Sequence, residues 1–288
     1  MNKIVLIVFL FLPILSCSRV HPQADKPVIS VSILPQKYFL EKLSAGHVEI
    51  NVMIPPGASP ATYEPTPSQL TRLSQSTLYM RIGYVGFENS WMDKLMAINP
   101  RMKITDLSKG IEVIREEEKT PHHGHDHIGI DPHVWMSVPN ARVIAVNVYN
   151  ELLLLLPGEQ ALLKERFESF SSELDSLHLA ISSLLNDKEN GSFMIYHPAL
   201  TYFARDYNLI QMSLEIEGKT PSPAHLKRMT DLGLENNIKT IFIQSQFDRT
   251  NAEILAKETG AGIIQFNPLD EEWKSQMLYI AEQLHSTL

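Results

Sequence analysis

Residues 159–186, EQALLKERFESFSSELDSLHLAISSLLN, decide the fold of this 288-residue chain. Apolar side chains recur in this stretch at three- and four-residue spacing, which is the pattern of an amphipathic α-helix. At about 1.5 Å per residue, the predicted helix is on the order of 40 Å long, enough to run along a whole domain. Its apolar stripe is predicted to consist of Leu162, Phe167, Phe170, Leu174, Leu177, Ile181 and Leu184.

A second helical pattern covers residues 138–156, and short β-prone runs alternate with helical patterns on both sides of the two long helices. This alternation indicates βαβ units and mostly parallel sheets. The predicted strands cover residues 28–34, 48–54, 77–82, 103–106, 192–196, 209–216, 240–244 and 262–266. The shorter predicted helices cover residues 36–45, 68–74, 89–98, 200–207, 223–236, 251–258 and 271–284. The sequence therefore predicts an α/β protein with two (βα)n lobes, joined by a long rigid helix, and a cleft between the lobes.

This pattern divides the chain into an N-terminal lobe over residues 27–157, a connecting helix over 158–189 and a C-terminal lobe over 190–288. Hydrophobic residues make up 44% of the sequence, enough to form a core in each lobe. Charged residues make up 20%, which argues against global disorder. The formal net charge of −8 argues against a nucleic-acid partner, since nucleic-acid binding needs a basic surface.

The N-terminal residues have the parts of a secretory signal. Lys3 precedes an apolar run over residues 4–15 that is too short to span a bilayer. Residues 14–17, Ile-Leu-Ser-Cys, resemble the bacterial lipobox, whose cysteine is acylated and becomes the mature N-terminus. Cys17 is the only cysteine of the chain, so it has no internal disulfide partner.

We therefore expect a signal peptide over residues 1–16 and a lipidated tether over residues 17–26. The protein would then lie outside the cytoplasm, in the periplasm or at the cell surface, with a lipid on Cys17 that anchors it to the membrane. An ordinary signal peptide that happens to contain a cysteine is the alternative.

Four residues with metal-binding side chains lie where a cleft is expected. His197, Gln246 and Asn267 each follow a predicted strand, and His133 lies in the loop before the first central helix. Ligand sites in open α/β sheets lie beyond the carboxyl ends of the strands. A single histidine at such a place is more often a packed core residue than a ligand, but the joint placement of two favours a zinc site, since neutral imidazole is a common zinc ligand.

Five stretches of the chain resemble the solute-binding proteins of zinc and manganese ABC importers, a family whose two lobes are joined by one rigid helix. They are GASPATYEPTPSQLTRLSQSTLYMRIG, DPHVWMSVPNARVIAVNVYNEL, MIYHPALTYFARDYNL, EGKTPSPAHLKRM and IQFNPLDEEW. They cover nearly all of the chain after the N-terminal segment, in the family's order. The resemblance implies that the protein is not an enzyme but a monomer that captures a divalent metal outside the cytoplasm and delivers it to an ABC permease and its ATPase.

The resemblance also implies a ligand set, from which this sequence departs at two positions. The family's second and third ligands are present as His133 and His197, but its first ligand, a histidine, is replaced by Ala61. Its last ligand is commonly an acidic residue, where this chain has Asn267. Two histidines leave a tetrahedral zinc ion half coordinated. Oxygen donors are therefore expected.

The candidates are Glu64, which lies three residues after Ala61, the amide oxygens of Asn267 and Gln246, and water. The alternative for Glu64 is that it caps the helix beginning near Ser68 or pairs with a lysine. The sequence leaves these possibilities open.

A histidine-rich segment precedes His133 by a few residues. It contains His122, His123, His125 and His127, after the acidic run 116–118, and it shows no apolar periodicity. Such a composition predicts a flexible loop that collects metal without fixed geometry. Insertions of this kind are typical of the zinc-specific branch of the family. The alternative is a solvated loop without a role in metal handling.

The favoured hypothesis is a lipid-anchored Zn²⁺ receptor of an ABC importer. Imidazole favours zinc over manganese, which prefers oxygen donors. A second hypothesis is that the altered cleft binds another divalent metal such as Mn²⁺ or Ni²⁺, or that the protein is a metal-independent adhesin. A zinc hydrolase is less favoured because the sequence lacks an HExxH motif and a second carboxylate placed as a general base.

Overall fold

The computed structural model describes residues 26–115, 129–215 and 220–288. The strands are β1 (Val28–Val31), β2 (Glu49–Val52), β3 (Ser76–Arg81), β4 (Lys103–Asp106), β5 (Ser192–Ile195), β6 (Ile210–Ser213), β7 (Thr240–Gln244) and β8 (Gly262–Phe266). The helices are α1 (Leu34–Ser44), α2 (Pro67–Leu73), α3 (Gly86–Ile98), α4 (Val138–Leu155), α5 (Gln160–Leu185), α6 (Thr201–Asp206), α7 (Pro223–Glu235), α8 (Thr250–Thr259) and α9 (Trp273–Thr287). Each predicted strand and helix has its counterpart, and the two-lobed α/β fold is confirmed.

The two lobes have the same sheet topology. The strand order is β2-β1-β3-β4 in the first lobe and β6-β5-β7-β8 in the second, and all neighbouring strands are parallel. In each sheet, the second strand along the chain pairs with one side of the first strand, and the third strand pairs with its other side. Such a switch point opens a crevice at the carboxyl ends of the two central strands. In the second lobe this crevice lies between the ends of β5 and β7.

Helices α4 and α5 pack against each other and form the connection between the lobes. The 26 residues of α5 make it about 39 Å long. The buried residues of α5 are Leu163, Phe170, Leu174, Leu177, Ile181 and Leu185. Of the predicted stripe, Phe170, Leu174, Leu177 and Ile181 are buried, whereas Leu162, Phe167 and Leu184 are only half-buried. Leu163 lies seven residues, or about two turns, before Phe170, which keeps it on the buried face.

One hydrophobic core extends through both lobes, which the sequence did not indicate, and a second, smaller core lies within the C-terminal lobe. Helix α9 of the second lobe packs on α5, and its Trp273 lies against Phe39 of α1 with a ring-centroid distance of 5.1 Å. The Trp273 Nε1 donates a hydrogen bond to the carbonyl oxygen of Trp135 at 2.8 Å, and Trp135 Nε1 donates to that of Pro268 at 2.7 Å. These buried contacts resist a wide separation of the lobes.

The predicted signal peptide, Cys17 and the histidines at positions 122, 123, 125 and 127 lie outside the described residues. Within the three described ranges, no helix combines the length and hydropathy that a membrane crossing requires.

Candidate metal site

His133 lies in the loop that leads into α4, and three contacts fix its position. Asp131 Oδ1 accepts hydrogen bonds from both the backbone N–H and Nδ1 of His133, each at 2.9 Å. Ser137, whose hydroxyl accepts from Asn140 N at 3.0 Å, caps the helix. The neighbouring Trp135 is fully buried and anchors the loop in the core. The ring of His133 is therefore held with Nε2 directed away from Asp131.

His197 follows β5 and is held from three sides. Gln244, at the end of β7, donates from Nε2 to the carbonyl oxygen of His197 at 2.7 Å, and its Oε1 accepts from His197 N at 3.4 Å. Glu215 Oε2 lies 2.8 Å from His197 Nδ1. The ring of Phe247 stacks on that of His197 at a centroid distance of 5.4 Å. The carboxyl ends of β5, β6 and β7 thus converge on one imidazole.

The Nε2 atoms of His133 and His197 lie 3.3 Å apart. In the tautomers in which each Nδ1 donates to its carboxylate, each imidazole presents an unprotonated Nε2 to the other. Two lone pairs at this distance repel each other unless a cation lies between them. Two nitrogen ligands at about 2.0–2.1 Å from a tetrahedral zinc ion are themselves about 3.3 Å apart. The pair is therefore spaced as two ligands of one metal ion.

Two buried carboxylates lie behind the imidazoles. Asp131 and Glu215 are both 6% exposed. Burial raises the pKa of Asp131, but the hydrogen bonds from His133 and Thr201 and the electrostatic attraction of the His133 ring outweigh burial, so the net effect is a pKa below the ordinary value. A carboxylate that accepts from the far nitrogen of a ligand histidine orients the ring and makes it a stronger donor.

A cleft of about 280 Å³ surrounds the two histidines. Its first-lobe wall contains Ser59, Pro60, Ala61, Thr62, Val85, Gly86, Pro132 and Trp135. Its second-lobe wall contains Glu215, Gln244, Gln246, Phe247, Pro268 and Leu269. Most of these side chains are apolar, so charges within the cleft interact more strongly than they do in water.

The loop that carries Ala61 is packed against the start of α3. Phe87 N donates to the carbonyl oxygen of Pro60 at 2.7 Å. A Cβ atom at Gly86 would lie 3.2 Å from Ala61 Cα, so the close approach of loop and helix depends on glycine. The methyl group of Ala61 therefore lines the same cleft as His133 and His197, at the position where the sequence resemblance places the missing histidine.

The other predicted ligands lie at different distances from the cleft. Gln246 lines the cleft, and its Oε1 is buried without a hydrogen-bond partner among the described residues. Glu64 is exposed and does not line the cleft, and Thr66 caps the following helix through a hydrogen bond from Gln69 N at 3.4 Å. Asn267 Oδ1 accepts from Leu269 N at 3.1 Å within its own turn. The structure thus brings together His133, His197 and Gln246, but neither Glu64 nor Asn267.

In the described part of the chain, no group of three or more histidine, cysteine, aspartate or glutamate side chains is arranged to hold a metal ion. Asp131 and Glu215 each contact the Nδ1 atom of one of the two histidines and lie behind the facing Nε2 atoms. Sequence reasoning missed both carboxylates. Asp131 lies two residues before His133, and Glu215 lies two residues after the end of β6, at the same sheet edge as His197. Both positions were visible in the sequence.

Helix α6 ties His133 to the second lobe. Tyr202 OH donates to the carbonyl oxygen of Asp131 at 2.9 Å, and Ser137 Oγ donates to Asp206 Oδ2 at 2.5 Å. Arg205 donates from Nε and Nη2 to Asp206 Oδ1 at 2.9 and 2.8 Å. The loop of His133 therefore belongs to the first lobe but is positioned by the second.

The fold and the cleft define a class: two-lobed solute-binding proteins with a long connecting helix and a metal site between the lobes. The chain belongs to the family of zinc-uptake complex component A, periplasmic (ZnuA), whose sequence model matches residues 29–287. The resemblance seen in the sequence is thereby confirmed. This family consists of solute-binding proteins of ABC transporters, not of enzymes.

Individual relatives agree with this assignment. The chain is 24% identical over 285 residues to the zinc-binding lipoprotein AdcA of Streptococcus pneumoniae (strain ATCC BAA-255 / R6), with 93% of this chain and 56% of AdcA covered. It therefore spans little more than half of AdcA. The crystal structure of ZnuA is 36% identical, has a TM-score of 0.84 and is matched over 91% of this chain and 99% of that one. A zinc-bound ZnuA with residues 138–173 of its own numbering deleted is 35% identical, with a TM-score of 0.83 and coverage of 91% and 98%.

Proposed function

We propose that this protein is the solute-binding component of an ABC importer and that it captures Zn²⁺ in the cleft between its lobes, with His133 and His197 as ligands. One observation carries the proposal: the two Nε2 atoms lie 3.3 Å apart, and a carboxylate accepts from the Nδ1 of each ring. This arrangement matches the ligand separation of tetrahedral zinc, and it fixes both tautomers for metal binding.

The donor chemistry supports zinc over manganese. Two neutral imidazoles suit zinc, copper and nickel, whereas manganese prefers carboxylate and water oxygens. The carboxylates of Asp131 and Glu215 supply two negative charges near the ion without occupying its coordination positions. The charge of a divalent cation is thus balanced within a cleft whose walls are mostly apolar.

Capture and release follow from the way the two ligands are held. Each histidine belongs to a different lobe by the predicted division of the chain, so a bound ion bridges the lobes. The shared core around Trp273 and Trp135 limits wide opening of the cleft. Docking on the permease would release the ion by displacing one histidine from the other.

The N-terminal residues and the histidine-rich segment suggest where the protein lies in the cell and how it meets zinc. Acylation of Cys17 would anchor a monomeric protein outside the cytoplasm through the tether over residues 17–26. The protein would then deliver zinc to a permease and its ATPase in the same membrane. The segment with His122, His123, His125 and His127 would collect zinc weakly and raise its concentration near the cleft.

Calorimetric titration of the metal-stripped protein with Zn²⁺, Mn²⁺ and Ni²⁺ tests this function. We expect one tight zinc site with weaker manganese binding. The absence of saturable zinc binding at micromolar or tighter affinity would contradict the proposal. Tighter binding of manganese than of zinc would instead identify the cleft as a manganese site.

A further inference from the structure

The donor set described so far is incomplete. A tetrahedral zinc ion takes four donors, and the two histidines supply two. Asp131 and Glu215 each accept from an Nδ1 atom, which keeps them behind the rings. Ala61 offers only a methyl group to the cleft. A further donor must therefore come from another part of the cleft wall or from solvent.

Gln246 has the one feature that a missing donor should have. Its Oε1 is buried and has no hydrogen-bond partner among the described residues, yet its side chain lines the cleft. Buried amide oxygens in folded proteins are nearly always paired, because an unpaired one destabilises the fold. Such an acceptor at the wall of a cation site is explained when the cation itself is its partner.

The surroundings of Gln246 place it beside His197. The residue lies just after β7, at the switch point between β5 and β7. Gln244, two residues earlier, clamps the backbone of His197 through two hydrogen bonds. Phe247, the next residue, stacks on the His197 ring. The short segment 244–247 is thus held against His197 on both sides of Gln246.

We propose that Gln246 Oε1 is the third protein ligand of the metal ion in this cleft, in the place of the histidine that Ala61 lacks. This inference rests on the proposed zinc-binding function. The site then has two imidazole nitrogens and one amide oxygen, and a water molecule fills the fourth position. All protein donors are neutral, and the compensating charges are those of Asp131 and Glu215.

A neutral amide oxygen has consequences that a carboxylate or a third imidazole would not have. It donates more weakly to zinc, so the ion is held less tightly and leaves faster. It also lacks the negative charge that attracts manganese, so the site discriminates against Mn²⁺ through the chemistry of one side chain. Gln246 is then a specificity-determining residue of the cleft.

The test compares three variants in zinc and manganese titrations of the metal-stripped protein. Gln246→Leu removes the oxygen, and we expect zinc affinity to fall by about 10-fold or more, on the scale of other changes around metal sites. Gln246→Glu replaces the amide with a carboxylate, and we expect tighter binding of both metals, with the larger gain for manganese. Gln160→Glu makes the same charge change at an exposed residue of α5, and we expect unchanged affinities.

Cobalt(II) gives a second readout that does not depend on affinity. The visible spectrum of the cobalt-loaded protein should differ between the wild type and Gln246→Glu, because the donor atom changes its charge, and should be unaltered in Gln160→Glu. Thermal unfolding of the metal-free variants confirms that each is folded.

Zinc binding that Gln246→Leu leaves within twofold of the wild type, or a cobalt spectrum that Gln246→Glu leaves unaltered, would overturn this inference alone. Zinc affinity that rises equally in Gln160→Glu and Gln246→Glu would also overturn it, since the effect would then be one of net charge. If the wild type binds no zinc, the proposed function fails together with this inference.

Discussion

The Nε2 atoms of His133 and His197 lie 3.3 Å apart, although 64 positions separate the two residues in the chain. One ring precedes the helix pair that connects the lobes, and the other follows it. A cation bound between the rings would link the two lobes, and its binding energy would add to the stability of the closed structure.

Replacement of either histidine should remove the tight site. We expect zinc affinity to fall in His133→Ala and His197→Ala by more than about 100-fold, because each change removes a ligand rather than a group that only supports one. Zinc should raise the thermal unfolding midpoint of the wild type and of the control His47→Ala, whose histidine is half-buried and outside the cleft, but of neither ligand variant. An equal zinc-induced rise in all four proteins would contradict the ligand assignment.

Removal of a carboxylate behind an imidazole should weaken zinc binding without abolishing it. Asp131→Asn and Glu215→Gln keep the side-chain shape but lose the charge that orients and polarises His133 or His197. We expect about 10-fold to 100-fold weaker zinc binding in competition with a chromophoric chelator. Asp175→Asn, at an exposed carboxylate of α5, is the control and should bind as the wild type does. A similar loss in that control would point to an effect of net charge alone.

A histidine at position 61 should restore a third imidazole. Ala61 is exposed to the cleft that contains His133 and His197, so Ala61→His has room for its ring and places a nitrogen donor near the ion. We expect zinc to bind at least about 10-fold more tightly, which corresponds to about 1.4 kcal/mol. Ala97→His adds a histidine at an exposed position near the end of α3 and should have no effect. Unchanged affinity in Ala61→His would show that this loop does not face the bound ion.

Deletion of residues 122–127 should show whether the histidine-rich segment and the cleft have separate roles in zinc binding. This segment holds four histidines but lies outside the described residues, so the prediction depends on its composition. We expect the deletion to lower the zinc stoichiometry or the capture rate and to leave the tight site intact. Calorimetry measures the stoichiometry and stopped-flow mixing measures the rate. Loss of the tight site itself would show that the segment supplies a ligand.

The buried carboxyl group of Glu88 should make stability depend on pH. It is 1% exposed and accepts hydrogen bonds from Ile82 N and Gly83 N, both at 2.8 Å, and from Ser32 Oγ. Burial raises its pKa to about 7, although these hydrogen bonds and Arg81 oppose the rise. A group with a raised pKa contributes stability that is present below its unfolded pKa and is lost as the pH rises through its folded pKa.

The free energy of unfolding should therefore fall by about 3 kcal/mol between about pH 4.5 and pH 7 through this group alone. Urea unfolding of the metal-free protein across this range measures the change. In Glu88→Gln the titration is absent, so the curve should lack this component, although the amide should lower stability at every pH by facing two backbone donors. Parallel pH curves for the two proteins would contradict the assignment.

Much of the fold followed from local patterns. The alternation of β-prone runs with helical periods predicted each strand and helix, because the spacing of apolar residues along a few turns or strand residues reports which face is buried. The predicted stripe of α5 was right at Phe170, Leu174, Leu177 and Ile181, whereas Leu162, Phe167 and Leu184 are only half-buried. A small rotation of the helix about its axis decides which of two adjacent side chains faces the core, and the neighbouring helices set that rotation.

The site was accessible only in part. Strand-end positions and family resemblance drew attention to His133, His197 and Gln246, and they also raised Glu64 and Asn267, which the folded loops keep away from the cleft. The distinction depends on where short turns direct side chains. Thr66 caps α2 and leaves Glu64 in solvent, and the turn at Asn267 occupies its own amide oxygen.

The amino-acid order alone was enough to specify the elements, the two-lobed α/β class and the two histidines, because periodicity and strand ends are short-range properties. Packing over long sequence separations decided the rest. It brought the Nε2 atoms of His133 and His197 to 3.3 Å, placed Glu215 behind one ring and joined Trp273 to Trp135 across 138 positions. Such contacts form only when whole lobes dock and their shared core excludes water, so no local pattern in the chain encodes them.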